Sequence, residues 1–203
     1  MKFIFPSLLA AGLAAMVGCW TLAQPAPEPA VAQEWPEYSR LAAAKLVEEY
    51  GRPDQSDSRR LVWYRRGPWQ RITLWNLAAG PAANLEQTVS LAVPAGKRQE
   101  LAQFSGDIRI SENGTRLSAR SAGEPSNRLL LNLAYDIIAG AKSPLEARDS
   151  YRNTLSLAAA GKGSPLLERL VFSPAAASRP QWPIRLRVSP DFASRKPFWR
   201  NTP

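Results

Sequence analysis

Residues 60–77 read RLVWYRRGPWQRITLWNL. The runs at 60–64 and 69–77 are rich in β-branched and aromatic side chains, and Arg65-Arg66-Gly67-Pro68 breaks the pattern between them. Two such runs around a Gly-Pro break predict an antiparallel hairpin. Downstream, residues 86–93 alternate, with Gln87, Val89, Leu91 and Val93 on one side and Glu86, Thr88, Ser90 and Ala92 on the other. That is the period of a strand. Residues 107–120 predict a second hairpin, in which Ile108 and Ile110 lead into Asn113-Gly114, with Leu117 and Ala119 beyond the turn. Asn-Gly suits a two-residue turn because both residues accept positive φ.

Helical patterns flank these strands. Residues 36–50 place Ala43, Leu46, Val47 and Tyr50 on one stripe, with Pro36 in the first turn and Gly51 as the stop. Residues 97–104 form a short helix with Leu101 and Phe104 inward. Residues 125–139 carry Leu130, Leu133, Ala134, Ile137 and Ile138 on a broad apolar face and end at Gly140. Ser143-Pro144-Leu145-Glu146 is a capping box that opens the next helix, lined by Ala147, Tyr151, Leu155 and Ala158 and ended by Gly161. The short link between these last two helices favours an antiparallel pair. The expected fold is α+β: an N-terminal helix, an antiparallel sheet of about five strands and a C-terminal helix pair on one face. This domain spans residues 34–172.

The chain of 203 residues has no histidine, and Cys19 is its single cysteine. A Ser-His-Asp triad, a Cys-His pair, a His-ligated metal and an internal disulfide are thereby excluded. Net charge is +9 with a pI of about 10.2.

Residues 1–23 open with Met1-Lys2 and continue uncharged through FIFPSLLAAGLAAMV, the plan of a secretory signal. The end of this run supports three readings. A peptidase cuts after small residues such as Thr21-Leu22-Ala23; or Cys19, in Met16-Val17-Gly18-Cys19, is lipidated as in a bacterial lipobox; or the run stays as a membrane anchor. Each reading exports the rest of the chain to the periplasm or to the membrane of a bacterial envelope. Residues 24–33, QPAPEPAVAQ, read as an extended linker. Residues 173–203 contain six prolines and carry a local charge of +5. There Trp182, Phe192, Phe198 and Trp199 interleave with Arg179, Arg185, Arg187, Arg195, Lys196 and Arg200. This composition suits an anionic surface, either lipid headgroups or an acidic partner; the alternative is a disordered extension without a ligand.

The motifs Lys45–Asp54 (KLVEEYGRPD), Leu61–Tyr64 (LVWY) and Gly67–Trp69 (GPW) resemble a group of uncharacterised exported bacterial proteins with YGxPD, LxW and GPW in that order. The resemblance covers about residues 36–160. It implies an envelope location and no activity. The order of a helix, G-x-P and a W-x-Y-like strand is more loosely similar to small outer-membrane-assembly lipoproteins.

Trp69 and Trp75, six apart, project to one face of an unbroken strand. With Arg65, Arg66 and Arg71 they form a candidate aromatic-basic surface of the kind that holds sugars, bases or lipid headgroups. The alternative puts the tryptophans in the core and the arginines on its rim. Asp54, Ser56 and Asp57 lack the glycine and later glutamate of a calcium loop, and Gly161-Lys162-Gly163-Ser164 lacks the spacing of a phosphate loop. Glu48 and Glu49 diverge on their helix and read as solvated. Tyr135 and Asp136 are the acid–base candidates if the chain is a small hydrolase.

The reading that accounts for most features is a non-enzymatic exported binding or assembly module, with no cofactor, metal or catalytic residue implied. Its partner would be an anionic envelope component, a membrane or a protein, and nucleic acid is not expected. A small periplasmic hydrolase and a cytosolic nucleic-acid binder with a misread leader are the alternatives.

Overall fold

Alternation in the strands and 3.6-residue periodicity in the helices resolve into one sheet with helices on one side. The computed structural model describes residues 29–77 and 83–174. Cys19, the leader and the tail residues from Arg179 to Arg200 lie outside the described residues. Helix α1 spans Glu37–Tyr50, and the strands β1 (Gln55–Ser56), β2 (Arg60–Arg66), β3 (Trp69–Trp75) and β4 (Leu85–Ser90) come after it. Then come α2 (Arg98–Phe104), β5 (Ile108–Ile110), β6 (Arg116–Ser121), α3 (Glu124–Ile138), α4 (Pro144–Ala159) and α5 (Pro165–Glu168). The six strands are antiparallel in the order β1-β2-β3-β4-β6-β5.

The α+β class, the N-terminal helix and the C-terminal helix pair are as the sequence predicts, with six strands in place of about five. The additional strand is β1, a two-residue pairing of Gln55 with Val62 and Ser56 with Leu61, formed just after the Arg52-Pro53 turn.

Antiparallel partners share a face, so the register sorts the strands. Leu61, Leu74 and Leu85 form one row, Trp63, Ile72, Gln87, Ala119 and Ile108 the next, and Val89, Leu117 and Ile110 a third. These rows face the helices. Leu61, Trp63, Ile72, Leu74, Val89, Leu117 and Ala119 are all fully buried there. Each large apolar side chain so removed from water contributes about 1.5–3 kcal/mol.

Helix α3 is the centre of the helical layer. Beyond the predicted stripe, Leu129 and Leu131 are also fully buried, because α3 packs on the sheet, on α4 and on α5. Asn127 donates to the Leu85 carbonyl and to Gln87 Oε1, each at 3.1 Å, which pins α3 to β4. Asn132 clamps the C-terminal segment. Its amide donates to the carbonyls of Leu166 (3.0 Å) and Arg169 (2.9 Å), and its carbonyl accepts from the Val171 N–H (2.9 Å). Tyr135 then stacks on Phe172 with ring centroids 4.7 Å apart.

The capping box forms as predicted. Ser143 Oγ accepts from the Glu146 N–H (3.3 Å), and Glu146 Oε2 accepts from the Ser143 N–H (2.8 Å). The Ser143 N–H and hydroxyl, both donating to Glu146 Oε2, hold the Glu146 carboxyl below its ordinary range.

Two local expectations are corrected. Only Gly114 takes positive φ (+69) in the second hairpin; Asn113 instead uses its side-chain oxygen, which accepts from the Ser111 hydroxyl and from the Thr115 N–H and hydroxyl. A side chain at Gly114 would sit 3.2 Å from the Val93 carbonyl oxygen, so glycine is required twice over there. The end of the 24–33 stretch is structured: residues Ala30–Glu34 make a 3-10 turn that buries Ala32, with Trp35 buried just after it.

Candidate functional site

The face of the sheet away from the helices carries no covering element among the described residues. Its central row crosses five strands: Tyr64 on β2, Arg71 on β3, Thr88 on β4, Ser118 on β6 and Arg109 on β5. The next row is Val62, Thr73, Glu86 and Arg120, and Arg60 with Trp75 lies beyond it. On the other side Arg116 pairs with Ser90. With strands about 4.8 Å apart, the row from Tyr64 to Arg109 spans about 19 Å.

The floor of this face is close-packed. Val62, Thr73, Glu86, Thr88 and Ser118 are each less than a tenth exposed, shielded by the longer side chains around them. The Thr88 and Ser118 hydroxyls meet at 2.9 Å at its centre. Above the floor lies a groove of about 880 Å³, and Arg65, Arg66, Arg71, Arg109 and Arg116 all line it. Its two carboxylates are already engaged: Arg71 pairs with Glu86 at 3.2 Å and Arg66 with Asp54 at 3.0 Å. Arg65, Arg109 and Arg116 form no ion pair among the described residues. Three guanidiniums therefore stand over the groove without a counter-charge. Such a surface attracts an anion and can bind it bidentately.

Of the five candidate surface residues, Arg65, Arg66 and Arg71 line this groove, while Trp69 and Trp75 separate. The ladder is interrupted between Tyr64↔Arg71 and Arg66↔Trp69, at Arg65, whose φ is +53. Gly67 (φ +55) with Pro68 closes the hairpin in the sense of a type II′ turn. The twist at this end turns Trp69 into the core, where it is 1% exposed. Trp69 is thus a packing residue and not a surface one, which corrects the sequence expectation. Trp75 stays on the uncovered face, its ring flanked by the guanidiniums of Arg60 (5.7 Å) and Arg120 (5.2 Å). Trp75 also borders a second depression of about 480 Å³ with Asp57, Ser58, Arg59 and Arg60.

Sequence reasoning does not single out Arg109, Arg116 and Arg120. The signal for them lies in the second hairpin, where Ile108-Arg109-Ile110 and Arg116-Leu117-Ser118-Ala119-Arg120 alternate polar with apolar. Placing them beside Arg71 needs the strand order, which alternation does not contain.

The remaining candidates have structural partners. The YGRPD, LVWY and GPW motifs form one latch between α1 and the first hairpin. Trp69 Nε1 donates to the Tyr50 hydroxyl (3.3 Å), and that hydroxyl donates to Glu124 Oε2 (2.7 Å). Trp63 Nε1 donates to the Gly51 carbonyl (2.8 Å). Asp54 accepts from the Tyr64 N–H (2.6 Å) and from Arg66. Burial and the adjacent Glu124 carboxylate, itself paired with Arg128, push the Tyr50 phenol well above its ordinary value. The Tyr64 N–H and Arg66 pull the Asp54 carboxyl below its usual range. Asp57 accepts from the Arg59 and Arg60 N–H groups, which lowers its pKa likewise. Tyr135 is occupied by Phe172, and Asp136 pairs with Lys142 at 3.3 Å.

Comparison with known protein families, with curated proteins and with solved structures finds no match. The resemblance drawn from the three motifs rests on those residues alone, and they serve the latch.

Proposed function

We propose that this chain is a non-enzymatic binding module of the bacterial cell envelope, exported by residues 1–23, that holds an anionic partner on the uncovered face of its sheet. The observation that carries this reading is the arginine-lined groove, in which Arg65, Arg109 and Arg116 have no carboxylate partner among the described residues. A sheet face left without helices leaves the arginines that stand over its close-packed floor open to solvent. The basic tail from residue 173 adds charge of the same sign, so tail and groove would repel each other and attract the same class of partner. The leader, with Lys2 before an uncharged apolar run, supports delivery outside the cytoplasm.

Two measurements test this. Mass spectrometry of the chain isolated from bacterial cells should find an N-terminus beginning at an acylated Cys19 or after the apolar run, or the intact run in the membrane fraction. Intact chain dissolved in the cytosol would overturn export. Retention of the purified chain on phosphocellulose tests the face. The variant R65Q/R109Q/R116Q should elute at clearly lower salt than a charge-matched control on the helical side, R40Q/R148Q/R152Q. Equal elution of the two variants would mean that net charge alone acts, and the groove assignment would fall.

A further inference from the structure

We infer that the occupant of the groove is a linear acidic glycan lying across the strands; this rests on the reading of the uncovered face as a binding surface. The extent of the face favours a polymer. The row from Tyr64 to Arg109 is about 19 Å wide, and its unpaired guanidiniums stand at opposite ends: Arg65 at the first hairpin, Arg109 and Arg116 on the far strands. A lone small anion engages one end, whereas a polymer with repeated negative groups engages both. The lining between those ends favours a sugar. Gln70 is an exposed amide that both donates and accepts hydrogen bonds, and the floor beside it is neutral, with the Thr88 and Ser118 hydroxyls satisfied by each other. An uncharged stretch of this kind between the two basic ends suits the neutral part of a sugar ring and is surplus to a bare polyphosphate.

Aromatic content narrows the choice further. Tyr64 offers a ring 37% exposed beside the groove, suited to the apolar face of one sugar. Single-stranded nucleic acid is gripped by successive stacking rings. Here the other aromatic of this face, Trp75, already has Arg60 and Arg120 against its ring. A membrane surface needs apolar side chains to insert. The groove offers only the Tyr64 ring, because Ile110, which also borders it, packs against the core. The basic tail is excluded as occupant by its charge of +5.

The test uses isothermal titration of the purified full chain with defined probes. These are an oligogalacturonate, a neutral dextran oligomer of equal length, inorganic polyphosphate, single-stranded DNA and anionic phospholipid vesicles. The expected result is that the oligogalacturonate binds at least tenfold more tightly than each of the others. R65Q/R109Q/R116Q should lose that binding by tenfold or more, Y64A by several-fold, and R40Q/R148Q/R152Q by less than twofold. These substitutions lie outside the apolar core, and circular dichroism of each variant checks that it folds. Binding of the acidic glycan no tighter than of the neutral one would overturn the inference, as would binding that survives the groove triple. Tighter binding of polyphosphate, DNA or vesicles through the same arginines would also overturn it, while leaving the anion-binding face in place. Absence of binding to every anionic probe would remove both.

Discussion

The two faces of this sheet are built from the same strands and differ in what covers them. On the helical face Leu61, Trp63, Ile72, Leu74, Val89 and Leu117 are fully buried against the helical layer. On the other face their immediate neighbours, Tyr64, Arg71, Thr88, Ser118 and Arg109, form a polar row with arginines standing over it. Alternation lets one strand serve stability with one set of positions and recognition with the other. The contrast predicts that substitutions on the two faces separate cleanly. On one they change unfolding; on the other they change binding.

The largest effect is expected at the centre of the covered face. Leu133 is fully buried within the core, and Leu133→Ala should lower unfolding free energy by about 2–5 kcal/mol in urea titration. A loss below about 1 kcal/mol would mean that the helical layer packs loosely and the contrast between the faces is weak. Next is Asn132→Ala, which leaves two carbonyls and one N–H of the C-terminal segment without their partner. A loss of about 2–3 kcal/mol and faster limited proteolysis after residue 164 are expected.

Tyr50→Phe removes the hydroxyl joining Trp69 to Glu124 and should cost about 1–3 kcal/mol. It also carries a pH signature. The folded chain raises the Tyr50 pKa, so the neutral phenol's contribution is full below the unfolded value of about 10 and is lost as pH rises toward the folded value. The wild type should lose stability above about pH 10 more steeply than Tyr50→Phe; parallel curves would remove Tyr50 from the latch. Asp54 has the opposite sign. Its depressed pKa contributes above the unfolded value of about 4 and is lost as pH falls through the folded one. Asp54→Asn should cost about 1 kcal/mol at neutral pH, since the pair is partly solvated, and should flatten the acid limb. The smallest change in stability, within about 0.5 kcal/mol, is expected for R65Q/R109Q/R116Q on the uncovered face.

Much of this architecture is legible in the residues themselves. The α3 and α4 boundaries come from Gly140 and the Ser143–Glu146 capping box, and the first hairpin comes from Gly67-Pro68 between β-rich runs. These are local signals, and local physics reads them. The strand order β4-β6-β5 is not legible, because pairing between segments some thirty residues apart depends on packing against α3. The same gap hides half of the site. Arg65, Arg66 and Arg71 stand out beside tryptophans, whereas Arg109 and Arg116 join them only through the register of β6. Trp69 misleads for a different reason: a spacing of six implies one face only if the strand runs true, and the positive φ at Arg65 turns the hairpin's end toward Tyr50.

The measurement that bears most directly on the division between the faces is a titration of the ¹⁵N-labelled chain with the oligogalacturonate, observed through amide chemical shifts. Shifts should concentrate on Tyr64, Arg71, Thr88, Arg109, Arg116 and Ser118, with Leu130, Leu133 and Ile137 of α3 unmoved. Shifts centred on the helical layer, or none on the central row of the sheet, would contradict that division.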